Sequence, residues 1–133
     1  MTASQEPLLQ TANEAPLLLV IDDEIELQNL LSLKFSKYGF KVDVASDRQR
    51  AEELMMRTSY SAIVCDLNLA GKMEGERIYQ LVKMKNIEST FIAVTGFAQD
   101  SPEVKAALSS GMRFVFSKPL RMKSILELIA QPR

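Results

Sequence analysis

The chain has 133 residues, 47% of them hydrophobic, which suits a single domain with a real core. Sixteen basic residues against 17 acidic ones leave a net charge of −1, which gives no electrostatic footprint for nucleic acid or an anionic membrane surface. A single cysteine, Cys65, and no histidine exclude an internal disulfide and a zinc site built around that thiol, so a cytoplasmic setting is expected.

The first 15 residues, MTASQEPLLQTANEA, are polar and unperiodic and lack the basic start and apolar run of a signal peptide. They read as a mobile leader, 1–15, ahead of one domain over 16–133. No apolar run reaches the roughly 18 residues of a membrane span, so no membrane partner is expected. Leu17 to Ile21 (LLLVI) does not alternate with polar residues and reads as a strand covered on both faces. The segment after it places Leu27, Leu30, Leu31, Phe35 and Tyr38 on one helical stripe, with Gly39 as its stop. Lys41 to Ala45 (KVDVA) alternates like a strand, and Ser46 and Gln49 have capping-box spacing ahead of a stripe at Ala51, Leu54 and Met55.

Ala62 to Asp66 (AIVCD) is a third strand, followed by a helix carrying Ile78, Leu81 and Val82. Thr90 to Thr95 (TFIAVT) is a fourth. Ser101 and Pro102 then supply an N-cap and first helical residue for a stripe of Val104, Ala107 and Leu108, closed by Gly111. Arg113 to Ser117 (RFVFS) is the fifth strand, and the last helix carries Met122, Ile125, Leu126 and Ile129. Strict alternation of strand and helix implies a doubly wound α/β domain, a parallel five-stranded sheet with right-handed crossovers and helices on both faces.

In such sheets the ligand site lies beyond the carboxyl ends of the strands. The first strand ends in Asp22 and Asp23, the third in Asp66, the fourth in Thr95, and the fifth in Ser117 and Lys118 before Pro119. Two carboxylates about 5 Å apart at an effective dielectric of about 20 repel by roughly 3 kcal/mol, so three of them call for a cation. Mg²⁺ (or Mn²⁺) takes oxygen ligands and keeps positions open for a phosphoryl group, which Lys118 and the Thr95 hydroxyl can then neutralise and hold. One carboxylate remains as a nucleophile toward phosphorus.

DDE at Asp22 to Glu24, CDLNL around Asp66, VTG around Thr95 and SKPL around Lys118, in this order at strand ends, resemble the receiver domain of two-component response regulators. The resemblance runs from Pro16 to Ala130. It implies a flavodoxin-like (βα)5 sandwich with strand order 2-1-3-4-5, the known order of the chemotaxis member of the family. It further implies that Asp66 accepts a phosphoryl group from a sensor histidine kinase or a histidine phosphotransfer protein, without turnover catalysis. Asp23, Asp66 and the backbone carbonyl of Asn68 would hold Mg²⁺ directly, with Asp22 acting through a water. Thr95 and Lys118 would hold the phosphoryl oxygens, and the bond between Lys118 and Pro119 would be cis. A downstream effector would read the fourth helix, fifth strand and last helix.

The chain departs from the family pattern at Val115, where many receivers carry the Tyr or Phe that reports phosphorylation, and at AGKMEG (Ala70 to Gly75), where a Pro is common and the loop often shorter. Phe97, two residues past Thr95, stands where the family controls water access to the acyl phosphate. Its bulk is expected to slow hydrolysis. Cys65 points away from Asp66 and reads as a small core residue, and the seven methionines as packing.

Rival readings fail on particular residues. No GxxxxGK[ST] accompanies LLLVIDDE, Arg77 stands where a calcium loop from Asp66 needs a Glu, and Asn68 replaces the second Asp of a haloacid-type phosphatase. The remaining alternative is a phosphorylation-independent interaction module on the same fold, which Val115 keeps open. Nothing after the last helix resembles an effector, so the letters fit a stand-alone receiver or the first domain of a longer protein equally.

Overall fold

A computed structural model describes residues 15–130. The expected leader falls almost wholly on residues 1–14, which lie outside the described residues. The elements are β1 (Leu17–Ile21), α1 (Ile25–Lys37), β2 (Lys41–Ala45), α2 (Arg48–Arg57), β3 (Ala62–Asp66), α3 (Glu74–Met84), β4 (Thr90–Thr95), α4 (Pro102–Ser109), β5 (Phe114–Ser117) and α5 (Met122–Ala130). All strand pairs are parallel, in the order β2-β1-β3-β4-β5.

Side chains alternate across a strand, and here both sides are buried. Leu18, Val20, Ala62, Val64, Ile92 and Val94 pack with Leu31 and Phe35 of α1 and Ile125 of α5. Leu19, Ile21, Ile63, Cys65 and Ala93 pack with Ala51, Leu54 and Met55 of α2, Ile78 and Val82 of α3 and Ala107 of α4. The continuous apolar runs of β1, β3 and β4 are thus explained by two cores, one on each face. Cys65 is fully buried in the second, on the face opposite Asp66, and burial pushes its thiol well above its ordinary pKa.

Four local expectations need correction. On α1 the buried residues are Gln28, Leu31 and Phe35, whereas Leu30 and Tyr38 are 45% and 53% exposed. The stripe facing the sheet is narrower than the apolar pattern, and a glutamine completes it. On β2 the alternation is not followed: Val44 is 38% exposed and Asp43 is half-buried, because β2 is an edge strand and Asp43 accepts a hydrogen bond from the buried Tyr60 hydroxyl at 2.7 Å. The N-cap of α2 is Asp47, which accepts from Arg50 N, while Ser46 Oγ accepts from Gln28. On α4, Leu108 is 48% exposed, and Ser101 and Pro102 open the helix as expected.

The register sets the site. Ile21 pairs with Cys65, Asp66 with Val94 and Thr95 with Ser117, so the carboxyl ends of β1, β3, β4 and β5 line up along one edge. Glycine 75 sets a second constraint on that edge. A Cβ there would stand 2.7 Å from the Leu67 Cα and 2.9 Å from the Asp66 carbonyl oxygen. Both are backbone atoms with little freedom to move, so α3 can begin this close to the end of β3 only with glycine. Gly75→Ala is expected to cost about 2 kcal/mol in urea unfolding, the usual scale of overpacking.

Candidate functional site

Asp22, Asp23 and Asp66 each offer one carboxylate oxygen, and these oxygens all lie within 4.8 Å of one another. The three come from the end of β1 and the end of β3, and the parallel pairing of those strands brings them together. Asp22 and Asp66 are buried, and Asp23 is exposed. Loop backbone aims each group: Glu24 N donates to Asp22 Oδ1 at 2.8 Å, Asn68 N to Asp66 Oδ1 at 3.0 Å, and Ala70 N to Asp23 Oδ2 at 3.2 Å. Ala70 and Gly71 both have positive φ, 54° and 83°, in the turn closed by Leu69 and Lys72, the turn whose Ala70 N–H reaches Asp23.

Lys118 reaches into this cluster from the end of β5. Its Nζ donates to Asp66 Oδ2 at 2.6 Å and lies 3.6 Å from both Asp22 Oδ2 and Glu24 Oε1. Burial pulls the Lys118 ammonium down, but the hydrogen bond to Asp66 and the charges of Asp66, Asp22 and Glu24 outweigh it, so its pKa rises. For Asp22 burial dominates, and its carboxyl sits above the ordinary value despite the Glu24 N–H and the Lys118 charge. The ammonium neutralises one charge of the trio. A hard divalent cation fits the rest, since all three donors are carboxylate oxygens and the metal would relieve the strain that burial places on Asp22.

Thr95 is placed differently from the other candidates. It is fully buried, and its Oγ1 accepts from Phe97 N at 3.0 Å. The cleft beside the carboxylates, about 330 Å³, is lined by Asp23, Asp66 and Lys118 together with Asn68, Gly96 and Phe97, and not by Thr95. The Lys118 backbone nevertheless ties the two strands, donating to Thr95 O at 2.9 Å. Lys118 and Pro119 are joined by a cis bond. Val115 packs in the core under α2, α3 and α4, whereas Phe114 and Phe116 pack on the α1 and α5 side. The flanking phenylalanines therefore lie on the wrong face to replace an aromatic at 115.

Two residues at the site escaped sequence reasoning. In the sequence, Gly75 is only the last residue of the AGKMEG loop. Gln28, 4% exposed, donates from Nε2 to the Asp22 carbonyl and to Ser46 Oγ. Its signal was present: it stands three residues before Leu31 and seven before Phe35, a polar side chain on the buried stripe.

The model of the response regulator receiver domain matches residues 18–130. The transcriptional regulatory protein SrrA of Staphylococcus aureus is 28% identical over an alignment of 116 residues that covers 82% of this chain and 47% of that protein. The chain thus spans about half the length of the curated relatives it matches. Among solved structures, the Francisella response regulator 1452 receiver domain superposes with a TM-score of 0.73 at 25% identity, covering 86% of this chain and 93% of that one. A response regulator receiver protein from Pseudomonas putida gives a TM-score of 0.76 at 21% identity, covering 87% and 96%. Four acidic and basic side chains gathered at strand ends, the strand order and the family match agree: the chain belongs to the receiver domains of two-component response regulators.

Proposed function

We propose that Asp66 accepts a phosphoryl group from a phosphohistidine on a sensor histidine kinase or a histidine phosphotransfer protein, and that the phosphorylated domain switches a partner-binding face. The observation that carries this reading is the Lys118 ammonium on Asp66 Oδ2 at 2.6 Å, within an acidic trio that leaves its cleft open. Asp23, Asp66 and the Asn68 carbonyl would hold Mg²⁺, or Mn²⁺, with Asp22 acting through a water. The metal, when bound, supplies charge neutralisation for the phosphoryl oxygens. An Asp66 carboxylate oxygen attacks phosphorus, the bond from phosphorus to the imidazole nitrogen breaks, and the imidazole leaves with the electron pair. Lys118 follows the new charge as a point cation, and Asp66, 6% exposed, is largely shielded from water.

Thr95 Oγ1 accepts from Phe97 N and keeps its own O–H to donate, but the side chain is fully buried and does not line the cleft, so reaching a phosphoryl oxygen requires Thr95 and its loop to shift. Because the Phe97 N–H is bonded to Thr95 Oγ1, that shift carries the loop bearing Gly96 and Phe97 and links the site to α4, β5 and α5, the face proposed for a downstream effector. The shift is limited by the differential affinity of the phosphoryl group for the two packings. With Val115 in place of an aromatic, the report runs through this loop. The domain acts as a phosphoacceptor, not as a turnover enzyme, and its lone buried thiol fits a cytoplasmic setting. Among the described residues no helix is long and apolar enough to cross a membrane.

The test is intact mass after incubation with a small phosphodonor. One phosphoryl adduct in Mg²⁺, absent with a chelator and mapped to the peptide containing Asp66, sustains the proposal. No adduct under any divalent ion overturns it and favours the interaction module. Phe97 lines the cleft, so Phe97→Ala is expected to shorten the adduct's lifetime several-fold by admitting water; an unchanged lifetime assigns Phe97 to packing.

A further inference from the structure

We propose that Gln28 is a positioning residue for the metal site, holding the loop that carries Asp22 and Asp23 in its binding geometry. The inference rests on the reading that the acidic trio takes a divalent cation. Gln28 lies on α1, 4% exposed, and touches no carboxylate. One contact of its amide is with the Asp22 carbonyl and the other with Ser46 Oγ at 2.8 Å. A backbone carbonyl only accepts, so the atom facing it must be the amide nitrogen, and the side chain is fixed in one orientation.

The Asp22 carbonyl and the Asp23 nitrogen share one rigid peptide plane. Holding that carbonyl sets the direction in which the Asp23 side chain leaves the backbone. The preceding plane is held as well, because Asp22 N donates to Ala45 O at 3.0 Å. The two ligand-bearing planes are thereby anchored to α1 on one side and to the β2 end on the other. Ser46 extends the brace, since Asp47 next to it caps α2 and Arg48 pairs with Glu74 at the start of α3. Through Gly75, α3 packs on the end of β3 beside Asp66. A run of contacts from α1 to α3 thus flanks the acidic trio, and Gln28 is its buried polar member at the Asp22 end.

Side chains that orient metal ligands commonly cost 10–100-fold in metal affinity when removed. Gln28→Met keeps the length and removes both donors. Magnesium titrations followed by amide chemical shifts are expected to show affinity weakened roughly tenfold or more in Gln28→Met, with the metal-free Asp23 amide displaced from its wild-type position. Ser46→Ala, which leaves the carbonyl bond in place, weakens affinity by a smaller factor. The two effects are not additive in the double variant, because they act through one side chain. A Gln28→Met protein with lowered thermal stability but unchanged magnesium affinity overturns the proposal and makes Gln28 a packing residue. Should Gln28→Met not fold, Ser46→Ala decides: a twofold or greater weakening sustains the brace, and unchanged affinity overturns it. Wild-type protein that shows no saturable magnesium shift, beside an equally silent Asp23→Asn, removes the functional reading itself and this inference with it.

Discussion

Asp66→Asn is expected to take up no phosphoryl group, while remaining folded and retaining weakened magnesium binding. The fold survives because an Asn carbonyl oxygen can still accept from Asn68 N, the contact that Asp66 Oδ1 makes at 3.0 Å. Electrostatics lean the same way. Neutralising one member of the trio removes repulsions worth roughly 3 kcal/mol per pair at about 5 Å, which offsets the bond to Lys118 that is lost when an amide nitrogen faces the ammonium. Neither remaining aspartate can substitute as nucleophile. Asp22 does not line the cleft that Asp66 lines, and the ammonium lies 3.6 Å from it against 2.6 Å from Asp66. Asp23 is exposed and spends one oxygen on Ala70 N. Intact mass beside the wild type checks the expectation; an adduct of wild-type yield in Asp66→Asn would move the acceptor elsewhere.

Most of this site was legible because its residues end strands. A strand covered on both faces announces itself as an unbroken apolar run, and in a parallel sheet the residues that follow such runs must meet at one edge. Asp22, Asp23, Asp66 and Lys118 are legible in that way, and the carboxylate oxygens of the three aspartates lie within 4.8 Å of one another. The placement of Thr95 is not legible, because a strand-end hydroxyl can accept from its own loop and still donate to a ligand, and only the structure shows it buried, accepting from Phe97 N and outside the cleft lining. Gln28 and Gly75 were missed for a related reason. Each serves a backbone atom, the Asp22 carbonyl and the Leu67 Cα, and backbone atoms leave no letter in the sequence. The exposed Leu30 and Leu108 erred the opposite way, since apolarity permits burial without requiring it.

Lys118→Met is expected to destabilise the metal-free protein by about 2–4 kcal/mol at neutral pH, and magnesium should restore most of that loss. Removing one partner of a buried ion pair commonly costs 3–5 kcal/mol, and the lysine side chain is 28% exposed, so part of the cost is screened. An upper bound comes from protonation: a stranded carboxylate can always take up a proton, which at pH 7 costs about 4 kcal/mol from an ordinary pKa near 3.9. The pH dependence follows with its sign. Lys118 has a raised pKa, so its contribution is present throughout the neutral range and is lost only as pH climbs through that raised value. Asp22 also has a raised pKa, which for a carboxylate means that the folded state holds the proton more tightly than the unfolded chain, so acidification through that value relieves the folded state. Without Lys118 this effect grows, and the gap between variant and wild type should narrow as pH falls from 7 toward the carboxylate range. Magnesium narrows it by the other route, since an ion bound at 100 times its Kd stabilises by about 2.7 kcal/mol. Urea unfolding across pH, with and without the ion, separates the two routes: a gap indifferent to both would mean that the ammonium does not balance the acidic trio.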